Sequence, residues 1–218
     1  MPKRKEILYM SELKSVIEAR RSANNFIEGE DISKEELQEI FELVRLAPSC
    51  FNIQHTHYLV ITDKERKELL RDAAFKQYKV HTASAAILVL GDKEAYKDAE
   101  AVYSGMNSLG IIKDEDYKEL LESIDKLYEG GGSVFQRDEA IRNASFSAML
   151  FMLAAKDLGF DSCPMIGFDP VQMKESFKIP DRYEPVLLIT LGKEDTKNKR
   201  MRGYRKTVKE FVHFGEFY

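Results

Sequence analysis

At 218 residues, with 44% hydrophobic and 11% aromatic residues, the chain is long enough to bury a core without staples, and one domain spanning 1–218 is the expected organisation. Its negative mean hydropathy and lack of any apolar run of membrane-spanning length argue against a membrane protein. A net charge of −4, from 33 Lys+Arg and 37 Asp+Glu mixed along the chain, disfavours a nucleic-acid binder, and two cysteines, Cys50 and Cys163, read as reduced cytoplasmic thiols rather than a disulfide framework.

The basic start, residues 1–6, precedes a mixed segment without a hydrophobic signal core, so export is not expected. Residues 11–20 read as a short helix, with Leu13, Val16, Ile17 and Arg20 at helical spacing. Ser33 followed by Glu36 is a capping-box signature; Leu37, Ile40, Phe41 and Val44 then form an apolar stripe, and Pro48 ends the helix. Residues 58–61 predict a strand, and Asp63 can cap a charged helix over 64–75. Residues 85–90 are apolar at nearly every position, as in a strand covered on both faces. The stretch 92–129 is charged and helical in pattern, with Leu120, Leu121, Ile124 and Leu127 as one buried edge, and three glycines at 130–132 break it. Ser133 with Gln136 opens a long helix to about Leu158, using Phe135, Ile141, Ala144, Ala148, Met152 and Ala155, and Gly159 is placed to follow its end. A short extended stretch runs to Met165, Asp169 and Pro170 start a brief helix as N-cap and first position, and 185–191 is a third clear strand. The tail after Gly192 is polar and basic until residues 208–218, which are aromatic. Helices outnumber strands, which gives an α+β layout rather than a doubly wound nucleotide fold. The long helix and the aromatic tail predict that a second copy of the chain covers part of the surface.

Four polar stretches are candidate binding segments. Arg20, Arg21 and Ser22 put two guanidiniums and a hydroxyl in a small arc suited to a phosphate or a flavin pyrimidine edge, although favourable charge at a helix C-terminus explains such a cluster as well. Residues 47–54, Ala-Pro-Ser-Cys-Phe-Asn-Ile-Gln, make a stiff loop with outward donors and acceptors, or an ordinary turn. At 163–170 a strand end meets Gly167, where backbone can approach a planar ligand closely, or where a turn simply precedes Pro170. Arg200 and Arg202 could hold a phosphate or form a solvated charge run. Cys50 has no Cys-His signature to support a nucleophile, and His55 and His57, which could share a strand face, lack the two further ligands that zinc requires. The glycines at 130–132 lack a Walker lysine, and no strand-glycine-helix dinucleotide fingerprint occurs.

Taken in order, these stretches resemble the nitroreductase family. Arg20-Arg21-Ser22 with Phe26, Ile32, Leu37 and Ile40 is similar to the family's opening, and Ala47-Pro48-Ser49-x-x-Asn52-x-Gln54 to its second signature. The run from Gly159 to Cys163, followed by Gly167-Phe168-Asp169-Pro170, resembles the third; Leu191-Gly192-Lys193 with Arg200-x-Arg202 resembles the close. The resemblance implies a central, mostly antiparallel sheet surrounded by helices, an intertwined homodimer, and two FMN sites between the copies. It implies that Arg20, Arg21 and Ser22 grip the phosphate and flavin edge, with Arg200 and Arg202 completing the phosphate site. Pro48, Ser49, Cys50 and Asn52 approach from the other subunit, the backbone N–H groups of Ile166 and Gly167 face flavin N5, and Lys76, Gln77 and Lys79 fall near the pyrimidine ring. Asn24 stands where some relatives carry a lysine, and Ile166 where some carry an acid. Residues 92–132 form a variable insert and 203–218 a C-terminal arm. The implied activity is ping-pong transfer of hydride from NADH or NADPH, through FMN, to a nitroaromatic or quinone-like small molecule. No side-chain acid–base catalyst and no metal is expected. Other flavin chemistry on the same fold (dehalogenation, dehydrogenation or flavin breakdown) is the alternative, followed by a non-catalytic binding module.

Overall fold

The computed structural model describes residues 4–198 and 201–217; of residues 4–11 and Asn198 only the backbone is described. Four strands, β1 (Thr56–Ile61), β2 (Ala85–Asp92), β3 (Asp161–Met165) and β4 (Tyr183–Gly192), form one antiparallel sheet in the order β1-β2-β4-β3. Seven helices appear among the described residues: α1 (Arg4–Ala19), α2 (Lys34–Val44), α3 (Lys64–Ala73), α4 (Tyr78–Thr82), α5 (Ala99–Ser108), α6 (Asp114–Asp157) and α7 (Pro170–Phe177). Side chains alternate across a strand. Thus Ala85, Ile87 and Val89 of β2 pack with Ile40 and Val44 of α2 and with Ala144, Ala148 and Phe151 of α6. Ala86, Leu88 and Leu90 pack on the other face with Leu70 of α3, Met173 of α7 and Met165 of β3. This three-layer arrangement is why every β2 residue is buried, as its unbroken apolar run predicts.

Local signals set several boundaries. Ser33 and Glu36 form the full capping box at α2, Asp63 accepts from the Arg66 amide at α3, and Asp169 accepts from the amides of Val171 and Gln172 with Pro170 first in α7. Gly159 follows α6 at φ +81, as a helix-ending residue should.

Three expectations are corrected. α2 ends at Val44, before Pro48, because the chain tightens through Leu46 N–H to Leu43 O and Ala47 N–H to Val44 O, and Ala47 is itself turned from helix by the following proline. The insert buries Ile124 and Tyr128, with Leu120 and Leu121 half-buried against them, while Leu127 is 41% exposed. The triple glycine breaks the helix as expected, at Gly132 (φ 68, ψ −173), and helical backbone resumes directly after it. Gln136 does not reach back to cap a new helix; its amide donates to the Tyr128 carbonyl and the Tyr96 hydroxyl.

Candidate functional site

The segment after α1 is stitched along the edge of the sheet. Ser22 bridges Ser162 at the start of β3, with Ala23 N–H donating to Ser162 O at 3.0 Å. Phe26 then bridges Glu194 just beyond β4, and Ile27 N–H donates to Lys193 O at 2.9 Å. Phe26 comes this close because residue 192 is glycine: a Cβ there would sit 3.0 Å from the Phe26 ring and 2.9 Å from Ser84 Oγ. The Gly192-Lys193 element thus has a packing reason: it lets the 20–27 segment lie flat on the sheet.

A cleft of about 200 Å³ opens at this edge, lined by Arg21, Ser22, Asn24, Lys79, Cys163, Arg202 and Arg205, among others. Lys79, on α4, donates from Nζ to Cys163 Sγ at 3.4 Å. Arg202 donates to the carbonyls of Glu18 and Arg20 at 2.5 and 2.9 Å, closing the end of α1 and bringing the tail back to the first motif. Burial lowers the Arg20 pKa, and the nearby Arg202 and Arg205 guanidiniums lower it further. Crowded like charges of this kind are relieved by an anion. Arg21 divides its role, lining the cleft while its Nη2 pairs with buried Glu194 Oε2 at 2.6 Å.

Gln77 lies beside this wall. Its amide donates to Gly167 O at 2.9 Å, and a Cβ on Gly167 would stand 3.1 Å from that same Nε2, so the close approach favours glycine. Ile166, next to it, is 78% exposed. Residue 200 lies outside the described residues, so the expectation for Arg200 is not addressed. Cys163 opens the third candidate stretch, whereas Arg205 and Glu194 were not among the sequence-derived candidates. Arg205, three residues after Arg202 in the same basic run, carried a weak signal; buried Glu194 carried none.

The 47–54 motif lies elsewhere. Pro48 and Ser49 line a separate hollow of about 300 Å³ with Phe41, Gln54, Tyr58 and Ser147, sharing no residue with the cleft. Tyr58 donates or accepts with Ser147 at 2.7 Å, and burial pushes its pKa up to about 12, so it remains protonated. The loop itself is unusual: Phe51, Asn52 and Gln54 all have positive φ without being glycine. Cys50 is half-buried, its amide donating to Asn143 Oδ1 at 2.8 Å.

The two histidines, which could have shared a strand face, differ in burial. His55 precedes β1 and is 1% exposed against Tyr128, whereas the His57 side chain is 51% exposed. Among the described residues no group of three His, Cys, Asp or Glu is placed to hold a metal ion, and no helix is long and apolar enough to cross a membrane. Burial lowers the His55 pKa from 6.5 to about 4. The unfolded chain therefore takes up a proton near pH 6.5 that the folded chain refuses until about pH 4. Stability is full above that window and falls as pH drops through it, by up to about 3 kcal/mol. Urea unfolding at pH 7.5, 5.5 and 4.5 checks this; His55→Gln should lose most of the pH dependence, and an unchanged slope would refute it.

Residues 17–193 match the profile of the nitroreductase family. The chain is 52% identical over 205 residues to a Bacillus subtilis (strain 168) protein provisionally named NAD(P)H nitroreductase MhqN, covering 94% of this chain and 100% of that one. It superposes on the crystal structure of ydfN from Bacillus subtilis, a provisionally assigned nitroreductase, with a TM-score of 0.92 and 51% identity, over 94% of this chain and 99% of the other. A nitroreductase from Exiguobacterium sibiricum 255-15, assigned in the same provisional way and solved in complex with FMN, matches with a TM-score of 0.84 and 31% identity over 93% and 96% of the two chains.

Proposed function

Because the chain belongs to the nitroreductase family, we propose that it is an FMN-dependent oxidoreductase that takes reducing equivalents from NADH or NADPH and delivers them to quinone-like or nitroaromatic acceptors. The observation that carries this reading is the convergence of Arg21, Ser22, Lys79 and Arg202, from three distant stretches of sequence, around one edge cleft, with the Arg20 carbonyl bonded to Arg202 beside it. The donor set fits a phosphorylated flavin: after burial, the neighbouring Arg202 and Arg205 guanidiniums lower the Arg20 pKa, a crowding that a phosphate would relieve.

Bound FMN supplies the hydride chemistry at N5. Arg20 and Arg202, with Arg200 of the same run, hold its phosphate by charge-assisted hydrogen bonds. Ser22, Asn24 and Gln77 would hold the polar ring edge, and the amides of Ile166 and Gly167 would supply donors to the reactive side. Lys79 brings positive charge to a ring that gains electron density on reduction, which favours that state electrostatically. No side chain of this chain is required as acid or base.

The hollow at Pro48 and Ser49 shares no residue with the cleft, so the loop carrying Pro48, Ser49, Cys50 and Asn52 completes the site from a second copy. Support for a homodimer also comes from apolar side chains left outside: Phe146 and Met149 on α6 are 52% and 42% exposed, and Tyr204, Phe214 and Phe217 of the tail exceed 75%. The test is the visible spectrum of the purified protein. Flavin bands that bleach with anaerobic NADH or NADPH and return with 1,4-naphthoquinone are expected, from a species of dimer mass. A colourless protein, or bands that neither nucleotide bleaches, would sink the proposal.

A further inference from the structure

The 49–54 loop holds three non-glycine residues at positive φ, a conformation that its own sequence does not favour. Three groups from outside hold it there. Tyr103 on α5 donates from its hydroxyl to Phe51 O at 2.6 Å. Asn143 on α6 accepts the Cys50 amide at 2.8 Å, and is itself fixed by donating to the Glu139 carbonyl and carboxylate. The third is Tyr128, in the insert half of α6, which is fully buried.

Tyr128 is built as a rigid post. Its ring stacks on Tyr96 at 5.0 Å and 9°, and Phe135 meets it edge-on at 5.4 Å. Its hydroxyl lies 3.0 Å from Nε2 of His55, the residue that follows the loop, and loop residue Ile53 is buried in the same cluster. His55 Nδ1 is buried with no partner. A bare lone pair is tolerated there better than an orphaned N–H, so the imidazole proton belongs on Nε2, donating to Tyr128 Oη. The loop's exit, where His55 leads into β1, is thus tied to the insert by the His55–Tyr128 hydrogen bond. Burial raises the Tyr128 pKa, so the hydroxyl keeps its proton.

We propose that Tyr128, oriented by His55 and stacked on Tyr96, is a positioning residue that fixes the 49–54 loop from the insert and thereby shapes the acceptor site. The acceptor part of this statement rests on the functional reading above; the loop part does not. The insert is therefore a wall wired to the loop by a specific hydroxyl, and a change at residue 128 reaches the acceptor without touching the phosphate cradle.

The test compares Tyr128→Phe, which keeps the ring packing, with the parent holoenzyme. Hydrogen exchange at the Cys50 and Gln54 amides should quicken about tenfold, and KM for 1,4-naphthoquinone should rise about tenfold, the scale of one hydrogen bond. FMN content should stay stoichiometric and exchange in β2 unchanged. Unchanged exchange at the loop, an unchanged quinone KM, or a general loss of protection that includes β2 would each overturn the proposal. If the parent holds no FMN, the functional reading falls, while the exchange measurement still decides whether Tyr128 positions the loop.

Discussion

Replacing Arg20 and Arg202 together with alanine is expected to strip FMN from the protein while leaving the apoprotein about as stable as before. A hydrogen bond to a charged group contributes about 1.5–3 kcal/mol, so the two guanidiniums together account for about 3–6 kcal/mol, or roughly 10²–10⁴-fold in Kd. Apoprotein stability responds differently because two effects oppose each other. Arg202 closes the end of α1 through the carbonyls of Glu18 and Arg20, bonds that are exposed and worth about 1 kcal/mol. Against that, burial and the neighbouring Arg202 and Arg205 disfavour the charged form of Arg20, so removing both cations relieves crowding. The net change in unfolding free energy without FMN should stay within about 1 kcal/mol. Added FMN should raise the parent's Tm and leave the variant's where it was, since only a ligand that binds the native state stabilises it. Fluorescence titration gives the Kd and calorimetry the Tm. A double variant that purifies fully yellow would remove these two residues from the phosphate site.

The first motif illustrates what could be read before any fold was known. Arg20, Arg21 and Ser22 are conspicuous because donors cluster, and the cleft does gather Arg21, Ser22, Asn24, Lys79 and Arg202. Helix starts at Ser33, Asp63 and Asp169 were legible because a cap is a local event, with the side chain bonding an amide two or three residues away. The all-apolar β2 run was legible because burial on both faces leaves no polar position. What escaped was long-range. Nothing near Glu194 announces that it will meet Arg21, 173 residues away. Leu127 and Tyr128 are adjacent on a helix with apolar residues on both rows, and only the arrival of His55 and Tyr96 decides which row is buried. His55 and His57 looked alike in an alternating pattern, yet β1 starts between them at Thr56, so the period of two does not extend to His55. Charge and apolar pattern report on neighbours along the chain; pairing partners come from topology.

The second large effect concerns stability, at the far end of β2. Asp92 is 1% exposed and takes two hydrogen bonds from Arg182, Nε to Oδ1 at 2.9 Å and Nη2 to Oδ2. It also accepts the Glu94 amide at 2.9 Å, while Arg182 reaches on to Asp98 at 3.0 Å and lies over the Tyr183 ring at 5.4 Å. The arrangement ties the end of β2 to the start of β4 and to the turn Ala95–Asp98, from which α5 and the insert depart. Arg182→Ala leaves a buried carboxylate without its cation, a change that costs about 3–5 kcal/mol when the site is closed. Because the Arg182 side chain is 32% exposed, some water can reach the orphaned charge, and a loss near about 3 kcal/mol is expected. Adding Asp92→Asn to that background removes the stranded charge yet keeps an oxygen for the Glu94 amide, so the double variant should be more stable than Arg182→Ala alone. That ordering separates a charge penalty from lost packing. If packing of the arginine stem over Tyr183 dominated, the second substitution would bring no recovery. Urea denaturation of the parent, the single and the double variant measures all three, and a double variant no more stable than the single would show that the ion pair is not what holds this corner.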